Sequence, residues 1–298
     1  MSKEEEDNEE DPTDIFDTSL SSLFSIPPIG FTPDHNGYFT YSPSAQHHAP
    51  IKLSIPSPPS SLYTTLQAQL IWPSSIYLAD LISQGKVAVG GKNVIELGSA
   101  AGLPGVVAYL NGAGKVVSTD YGVREVLEVL EDNFRRAKSP STSALDDAGE
   151  EGERWVVKGH CWGEDVSELL DQINPTSTSP SSDSTPNTQD RPSTKTLTKF
   201  DTILAADVLW TTSSHSILLD SITSLMSQDG ITHITAGLHT GRGPLERFLL
   251  SAKERGLRVD HRGEVRLTGD KDWEKYDESM AREGEEERGV VVWFTLGF

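Results

Sequence analysis

Gly98, Gly102 and Gly105 follow an apolar run, Val94 to Leu97, and Asp120 closes a second one, Val116 to Thr119. Residues of these types at this spacing can hold a nucleoside. Glycine lets the main chain approach a ligand with no Cβ in the way. The first turn of a helix offers unpaired N–H groups to a carboxylate. Asp120 lies 22 residues beyond Gly98, about the distance at which an acid tops a second strand and accepts both ribose hydroxyls. The spacing is G-x-x-x-G-x-x-G and not the dinucleotide G-x-G-x-x-G, and no Lys-Ser/Thr follows, which excludes a Walker-type phosphate loop. Alone, such glycines serve equally well as a plain strand-to-helix connection. With Asp120 in place, nucleoside binding is the stronger reading, and a ligand with a ribose and a carboxylate but no pyrophosphate points to S-adenosylmethionine.

The elements that must position these residues can be read on either side. Val94 to Leu97 suits a buried parallel strand. Val106 to Leu110 reads as a helix stopped by Asn111-Gly112 and Gly114. Before them, Phe39, Tyr41, Ile51, Leu53 and Ile55 alternate with polar residues, which predicts an N-terminal hairpin or edge strands. Ile76, Tyr77, Leu78, Leu81 and Ile82 form a helical pattern just after Trp72, which either walls a pocket or packs as core. After Asp120 come a helix over Val123 to Phe134, a strand over Arg154 to Lys158, the turn Gly159-His160-Cys161-Trp162-Gly163 and a helix over Val166 to Ile173. Phe200 to Ala205 is a strand leading to Asp207-Val208-Leu209-Trp210. A helix (Ser216 to Met226), a strand (Ile231 to Ala236), a glycine loop holding His239 and a helix (Leu245 to Lys253) follow. Leu257 to Leu267 and Val290 to Leu296 are the last strands, joined by an acidic connection over 269–289 with no helix, so they pair antiparallel. Seven strands in this order differ from the six parallel strands of a dinucleotide domain.

Composition narrows the class. The 298 residues can bury a substantial core, yet only 36% are hydrophobic, which suggests disordered segments diluting an ordinary domain. Residues 1–14 read as an acidic tail, Ile15 to Phe24 as a short amphipathic helix, and the stretches near 138–153 and 174–198 as disordered insertions. The domain division expected is a tail over 1–34 and one domain over 35–298. A net charge of -20 disfavours nucleic acid and anionic membranes as partners and suits a cationic protein, with solubility alone as the other reading of the acidity. The single cysteine, Cys161, allows no internal disulfide and no ordinary zinc site, and reads as a small buried filler. The acidic start is unlike a signal peptide or presequence, and no apolar run approaches ~18 residues. A cytoplasmic monomer without a metal is the expectation.

Together, Glu96-Leu97-Gly98-Ser99-Ala100-Ala101-Gly102-Leu103-Pro104-Gly105, Thr119-Asp120-Tyr121, Gly159 to Gly163 and Ala206-Asp207-Val208-Leu209-Trp210 resemble the seven-strand S-adenosylmethionine-dependent methyltransferases. Within them the chain is similar to the family 16 lysine methyltransferases, and there to the group of fungal protein N-terminal and lysine methyltransferases of translation elongation factor 1-alpha, often labelled nicotinamide N-methyltransferase-like. The resemblance implies a seven-stranded Rossmann-like class I sheet with an antiparallel last strand and helices on both faces. It also implies that Trp72 stacks near the cofactor, that the backbone of Gly98, Ser99 and Ala100 holds its methionine portion, that Asp120 holds the ribose, that Trp162 lies near the adenine and that Ala206 contacts the cofactor. The chain departs from the family at Gly122-Val123, where Pro-Asp is common, and at Thr211 and Thr212, where an Asn-His pair is common; His215 is retained.

The donor's methyl group is already activated, so the enzyme's share is alignment and a dry, correctly charged pocket. The nucleophile must be a neutral amine. A lysine near pKa 10.4 is neutral about once in several thousand molecules at pH 7, and an α-amine near 7.7–8.0 roughly a tenth of the time. Asp207, at the end of its strand, suits orienting that amine, with a helix cap as its other reading. His239 suits proton acceptance, with a structural role as its other reading. Trp162 favours the pocket, and Trp210 is open between pocket and core. Three functions remain: a protein N-terminal or lysine methyltransferase, a small-molecule N-methyltransferase, and a non-catalytic cofactor-binding module.

Overall fold

Strand β1 (Phe39–Tyr41) and strand β2 (Ile51–Leu53) pair antiparallel as a separate ribbon, their apolar residues buried and Thr40 and Lys52 exposed. This is the N-terminal hairpin expected from the alternation. The structure, a computed structural model, describes residues 30–43, 49–137, 154–174, 197–268, 272–277, 279, 287 and 289–298. The expected acidic tail, the Ile15 to Phe24 helix, the 138–153 insertion and all but the ends of 174–198 lie outside the described residues. Those ends are tied: Asn174 Nδ2 donates to the Thr198 carbonyl at 2.8 Å, and Thr198 N–H donates back to Asn174 Oδ1 at 2.9 Å.

The main sheet contains β3 (Asn93–Leu97), β4 (Lys115–Asp120), β5 (Trp155–Gly159), β6 (Phe200–Ala206), β7 (Met226–Gly237), β8 (Arg258–Leu267), β9 (Trp273–Lys275) and β10 (Val290–Gly297). Its order is β5-β4-β3-β6-β7-β10-β8-β9. The first five in that order run parallel, and β10 runs antiparallel to both β7 and β8. Seven strands match the expected pattern; β9 adds an eighth at the edge, in the segment read as an acidic connection. Its anchor is remote in sequence: Trp273 Nε1 donates at 2.8 Å to the buried Asp80, which also accepts from Tyr41 Oη at 2.7 Å.

The helices are α1 (Tyr63–Leu66), α2 (Pro73–Ser83), α3 (Leu103–Leu110), α4 (Arg124–Arg136), α5 (Ser167–Asp171), α6 (His215–Leu225) and α7 (Arg242–Glu254). One core packs α5, α6 and α7 on one sheet face; the other packs the ribbon, α2, α3 and α4 on the opposite face. Val94, Ile95, Leu97, Val116 and Val117 are fully buried between them, each stabilising the fold by about 1.5–3 kcal/mol. Helix α3 starts earlier than the apolar pattern suggested, because Pro104 suits a first helical turn and Gly102, at φ 76°, turns the chain into it. Strand β7 is longer than expected: α6 passes into it at Met226 without a loop, and a register shift between Phe200 and Thr202 accommodates the junction.

Candidate active site

Strand β3 has β4 on one side and β6 on the other, so the sheet order reverses there, and ligands of such sheets bind beyond the carboxyl ends at that point. A cavity of ≈ 440 Å³ lies there, lined by Trp72, Gly98, Ala100, Asp120, Trp162, Ala206 and Asp207 among others. Seven of the nine residues singled out from the sequence are thus brought to one cavity. Trp210 also lines it, which settles that residue as pocket wall.

The backbone is strained around this cavity. Gln67, Ala100 and Asp207 are the non-glycine residues with positive φ among the described residues, at 51°, 47° and 57°, and all three line it. Such strain gathers at functional sites because the surrounding fold must hold it. Gly98 has φ 70°, and a Cβ there would sit 3.0 Å from Val208 Cγ1 and 3.2 Å from the Trp162 ring, so only glycine keeps this close approach.

Ser99 departs from the expectation. Its N–H donates to the Thr119 carbonyl at 2.9 Å, and its Oγ accepts from Thr119 N–H at 3.1 Å. It belongs to the wall behind the turn. Ala100 N–H is also engaged, donating to Asp120 Oδ2 at 2.7 Å. Of the three residues whose backbone was expected to hold the ligand, Ser99 and Ala100 thus use their N–H groups inside the protein, and the Ala100 bond clamps the turn to Asp120.

Asp120 accepts a second N–H, from Tyr121 to Oδ1 at 2.7 Å, which leaves each carboxylate oxygen a further lone pair. Burial pushes its carboxyl up to about 6, against the pull of those two N–H groups. Beneath the turn sits Glu96, which sequence reading quoted in a motif but gave no role. Its Oε2 accepts from Ser118 Oγ at 2.8 Å and from Gly105 N–H at 3.2 Å, and Ser118 Oγ lies 2.7 Å from Ser99 Oγ. Burial pushes Glu96 up to about 7. Its signal in the sequence was an acid inside an otherwise apolar strand.

Asp207 follows β6, and its N–H bonds the Thr235 carbonyl of β7 at 2.8 Å. It caps no helix: α6 begins at His215 after Ser214. Its Oδ1 accepts from Gly237 N–H at 3.3 Å and stands 3.8 Å from His239 Nδ1. Asp207 Oδ2 and Ser74 Oγ are buried and make no well-formed hydrogen bond among the described residues, although the Ser74 hydroxyl lies near enough to help hold the Asp207 carboxyl down. Burial raises the Asp207 carboxyl above the ordinary carboxylate range, against the opposing pull of His239. His239 does not line the main cavity. It stacks on Trp72 with ring centroids 4.9 Å apart and lies behind Asp207, while Trp72 Nε1 donates to the Gln67 carbonyl at 2.9 Å.

Cys161 is half-buried on the cavity wall, not an interior filler, and burial raises its thiol. Sequence reading also assigned nothing to His160, Tyr121, Ile217 and the Thr64 to Gln67 segment, all of which line the cavity. Tyr121 and His160 left traces, the first beside Asp120 and the second two residues before Trp162 at the end of a strand. The lining includes two carboxylates, one histidine and no lysine or arginine.

Sheet order, glycine turn and a carboxylate topping the neighbouring strand define a Rossmann-like methyltransferase fold. In agreement, a Streptococcus mutans protein assigned to the SAM-dependent methyltransferases superposes with TM-score 0.50 at 10% identity, over 95% of this chain and 66% of that chain. Residues 63–170 match the lysine methyltransferase family, so the segment holding the turn and Asp120 carries that family's pattern. The protein N-terminal and lysine N-methyltransferase EFM7 of Candida albicans is 31% identical over 171 residues, 56% of this chain and 56% of that protein. EFM7 of Gibberella zeae is 28% identical over 208 residues, 67% of this chain and 70% of that protein. The matched part thus spans little more than half the length of the first relative. The family resemblance expected from the motifs is borne out. Among the described residues no helix is long and apolar enough to cross a membrane, and no cluster of metal-ligating side chains occurs.

Proposed function

We propose that this chain is an S-adenosylmethionine-dependent protein N-methyltransferase acting on the N-terminal α-amine, an adjacent lysine, or both, of translation elongation factor 1-alpha. The observation that carries the reading is a cavity with two buried carboxylates, Asp120 and Asp207, and no cationic side chain in its lining. Such a lining repels phosphates and suits a cationic ligand beside an amine. The free lone pairs of Asp120 fit ribose hydroxyls, the Gly98 approach fits a nucleoside, and Trp72 and Trp162 give it flat apolar walls.

The bound donor would supply a methyl group activated on a sulfonium sulfur. Asp207 is the one buried side chain beside that space with a carboxylate oxygen that makes no well-formed hydrogen bond among the described residues. It orients the amine by accepting its N–H, and it balances the positive charge that appears as the new N–C bond forms. The proton lost by the amine passes toward His239, 3.8 Å beyond Asp207 Oδ1. Support for a protein substrate comes from the names of the relatives and from the net charge of -20, which suits a basic partner. The reading takes 35–298 as one methyltransferase domain, working as a monomer in the cytoplasm.

The test incubates the protein with methyl-labelled donor and purified elongation factor 1-alpha, followed by mass spectrometry of the factor's N-terminal peptide. Methyl groups on that peptide are the expected result. Label confined to a nicotinamide-sized metabolite, or no uptake of donor in calorimetry, overturns the proposal.

A further inference from the structure

His160 is a buried histidine on the cavity wall that the proposed transfer does not use. Its Nε2 lies 3.0 Å from Ser221 Oγ, and the same hydroxyl accepts Gly163 N–H at 2.9 Å. Ser221 sits on α6 and is fully buried. A hydroxyl has one hydrogen to give and two lone pairs to receive. The Gly163 N–H takes a lone pair. The hydroxyl hydrogen, sealed from water, must go to an acceptor, and among the bonds Ser221 makes the one acceptor is His160 Nε2. Nε2 therefore receives, and the neutral ring carries its hydrogen on Nδ1. Burial favours that neutral ring, outweighing the nearby Glu164 charge. The side-chain hydrogen bond His160 makes among the described residues runs through Nε2 and leaves Nδ1 available.

The same serine shapes the neighbouring turn. Gly163 has φ 83°, and a Cβ on it would meet Ile217 Cβ of α6 at 2.9 Å, so the turn is pressed against that helix. His160 and Trp162, two residues apart, both line the cavity as a result.

We propose that His160 Nδ1–H is a fixed donor to a ring nitrogen of the bound purine, and that Ser221 is the positioning residue that sets this tautomer and holds the Trp162 turn. The inference rests on the adenosyl-donor reading above. It assigns base selectivity to a side chain: adenine offers lone pairs at N1, N3 and N7, and a base protonated at the contacted nitrogen is refused.

Long-range ¹H–¹⁵N correlation spectra of the full chain report the tautomer directly, with His160→Phe assigning the signal. Wild type should show the Nδ1–H form, and Ser221→Ala should lose that preference. In calorimetry with S-adenosylhomocysteine and its 1-deaza, 3-deaza and 7-deaza analogues, one analogue should bind wild type about tenfold more weakly than the parent. That gap should close in His160→Phe. An Nε2–H ring in wild type, or all three analogues within about twofold of the parent, overturns the inference while leaving the donor reading intact. No uptake of S-adenosylhomocysteine by wild type overturns both. The wild-type spectrum and analogue series decide the matter even where a variant fails to fold.

Discussion

Asp207 concentrates the chemistry of the cavity in one side chain. It is buried, held at φ 57°, and has one carboxylate oxygen fixed by Gly237 N–H while the other, near the Ser74 hydroxyl, makes no well-formed hydrogen bond among the described residues. A buried carboxylate oxygen short of a full hydrogen bond destabilises the empty protein. An amine N–H placed against it recovers that loss, so the cost is repaid only when substrate is bound. Asp207→Asn keeps the size and can still accept from Gly237 but removes the charge. It should lower kcat by about 10²–10³-fold while leaving donor Kd within about threefold, as read by steady-state methylation and calorimetry. Equal loss in both would mean that Asp207 serves the donor and not the amine.

Among the elements, α3 carries the sharpest dependence on glycine, and its two ends make a controlled comparison. A Cβ on Gly105 would lie 2.5 Å from Glu96 Oε2 and 3.2 Å from both Phe134 Cζ and Ser118 Oγ. The Glu96 carboxylate is fully enclosed and cannot swing out to water. Gly112, just past the helix end, has φ 82° but nothing within 4 Å of a built Cβ. Gly112→Ala should therefore cost only the left-handed backbone term, about 1 kcal/mol. Gly105→Ala should cost about 2–4 kcal/mol, because it also breaks the hydrogen bonds of a buried acid. Urea midpoints of the two variants check the ordering. The strand end that carries Asp120 should shift with Gly105, since Ser118 joins both to Glu96.

For the molecule as a whole, Glu96 and Asp120 make stability and ligand affinity respond to pH in opposite directions. Burial raises them from 4.5 to about 7 and from 3.8 to about 6. At these two sites the folded chain then binds more protons than the unfolded chain between those values, so their contribution to stability falls as pH rises through that window. The buried histidines His160, His215 and His233, held low by burial, act in the opposite sense over the same range, so the carboxyl effect is read as a difference: between pH 8 and 6 the thermal midpoint of the ligand-free wild type should gain about 4 °C relative to that of Glu96→Gln. Ribose hydroxyls donate to an ionised Asp120. Affinity for S-adenosylhomocysteine should therefore climb about tenfold between pH 5 and 7 and then level off. Calorimetry in buffers of different ionisation enthalpy should register proton release on binding near pH 6.

Local pattern was enough for much of this. The glycine turn, Asp120, the strand and helix order and the antiparallel close of the sheet follow from periodicity and spacing, because backbone conformation and side-chain alternation are properties of neighbouring residues. What lay beyond reach depends on residues far apart in the chain. Strand β9 forms because Trp273 finds Asp80; the Ser99 N–H is taken by Thr119 and the Ala100 N–H by Asp120; Ser221, 61 residues on, holds His160 Nε2 at 3.0 Å. Burial, and with it the raised carboxyls of Glu96 and Asp120 and the under-bonded oxygen of Asp207, exists only once the two helix layers close over the sheet. Residue type and spacing determined which groups could meet a nucleoside, and tertiary packing decided which of them kept a free hydrogen or lone pair to offer it.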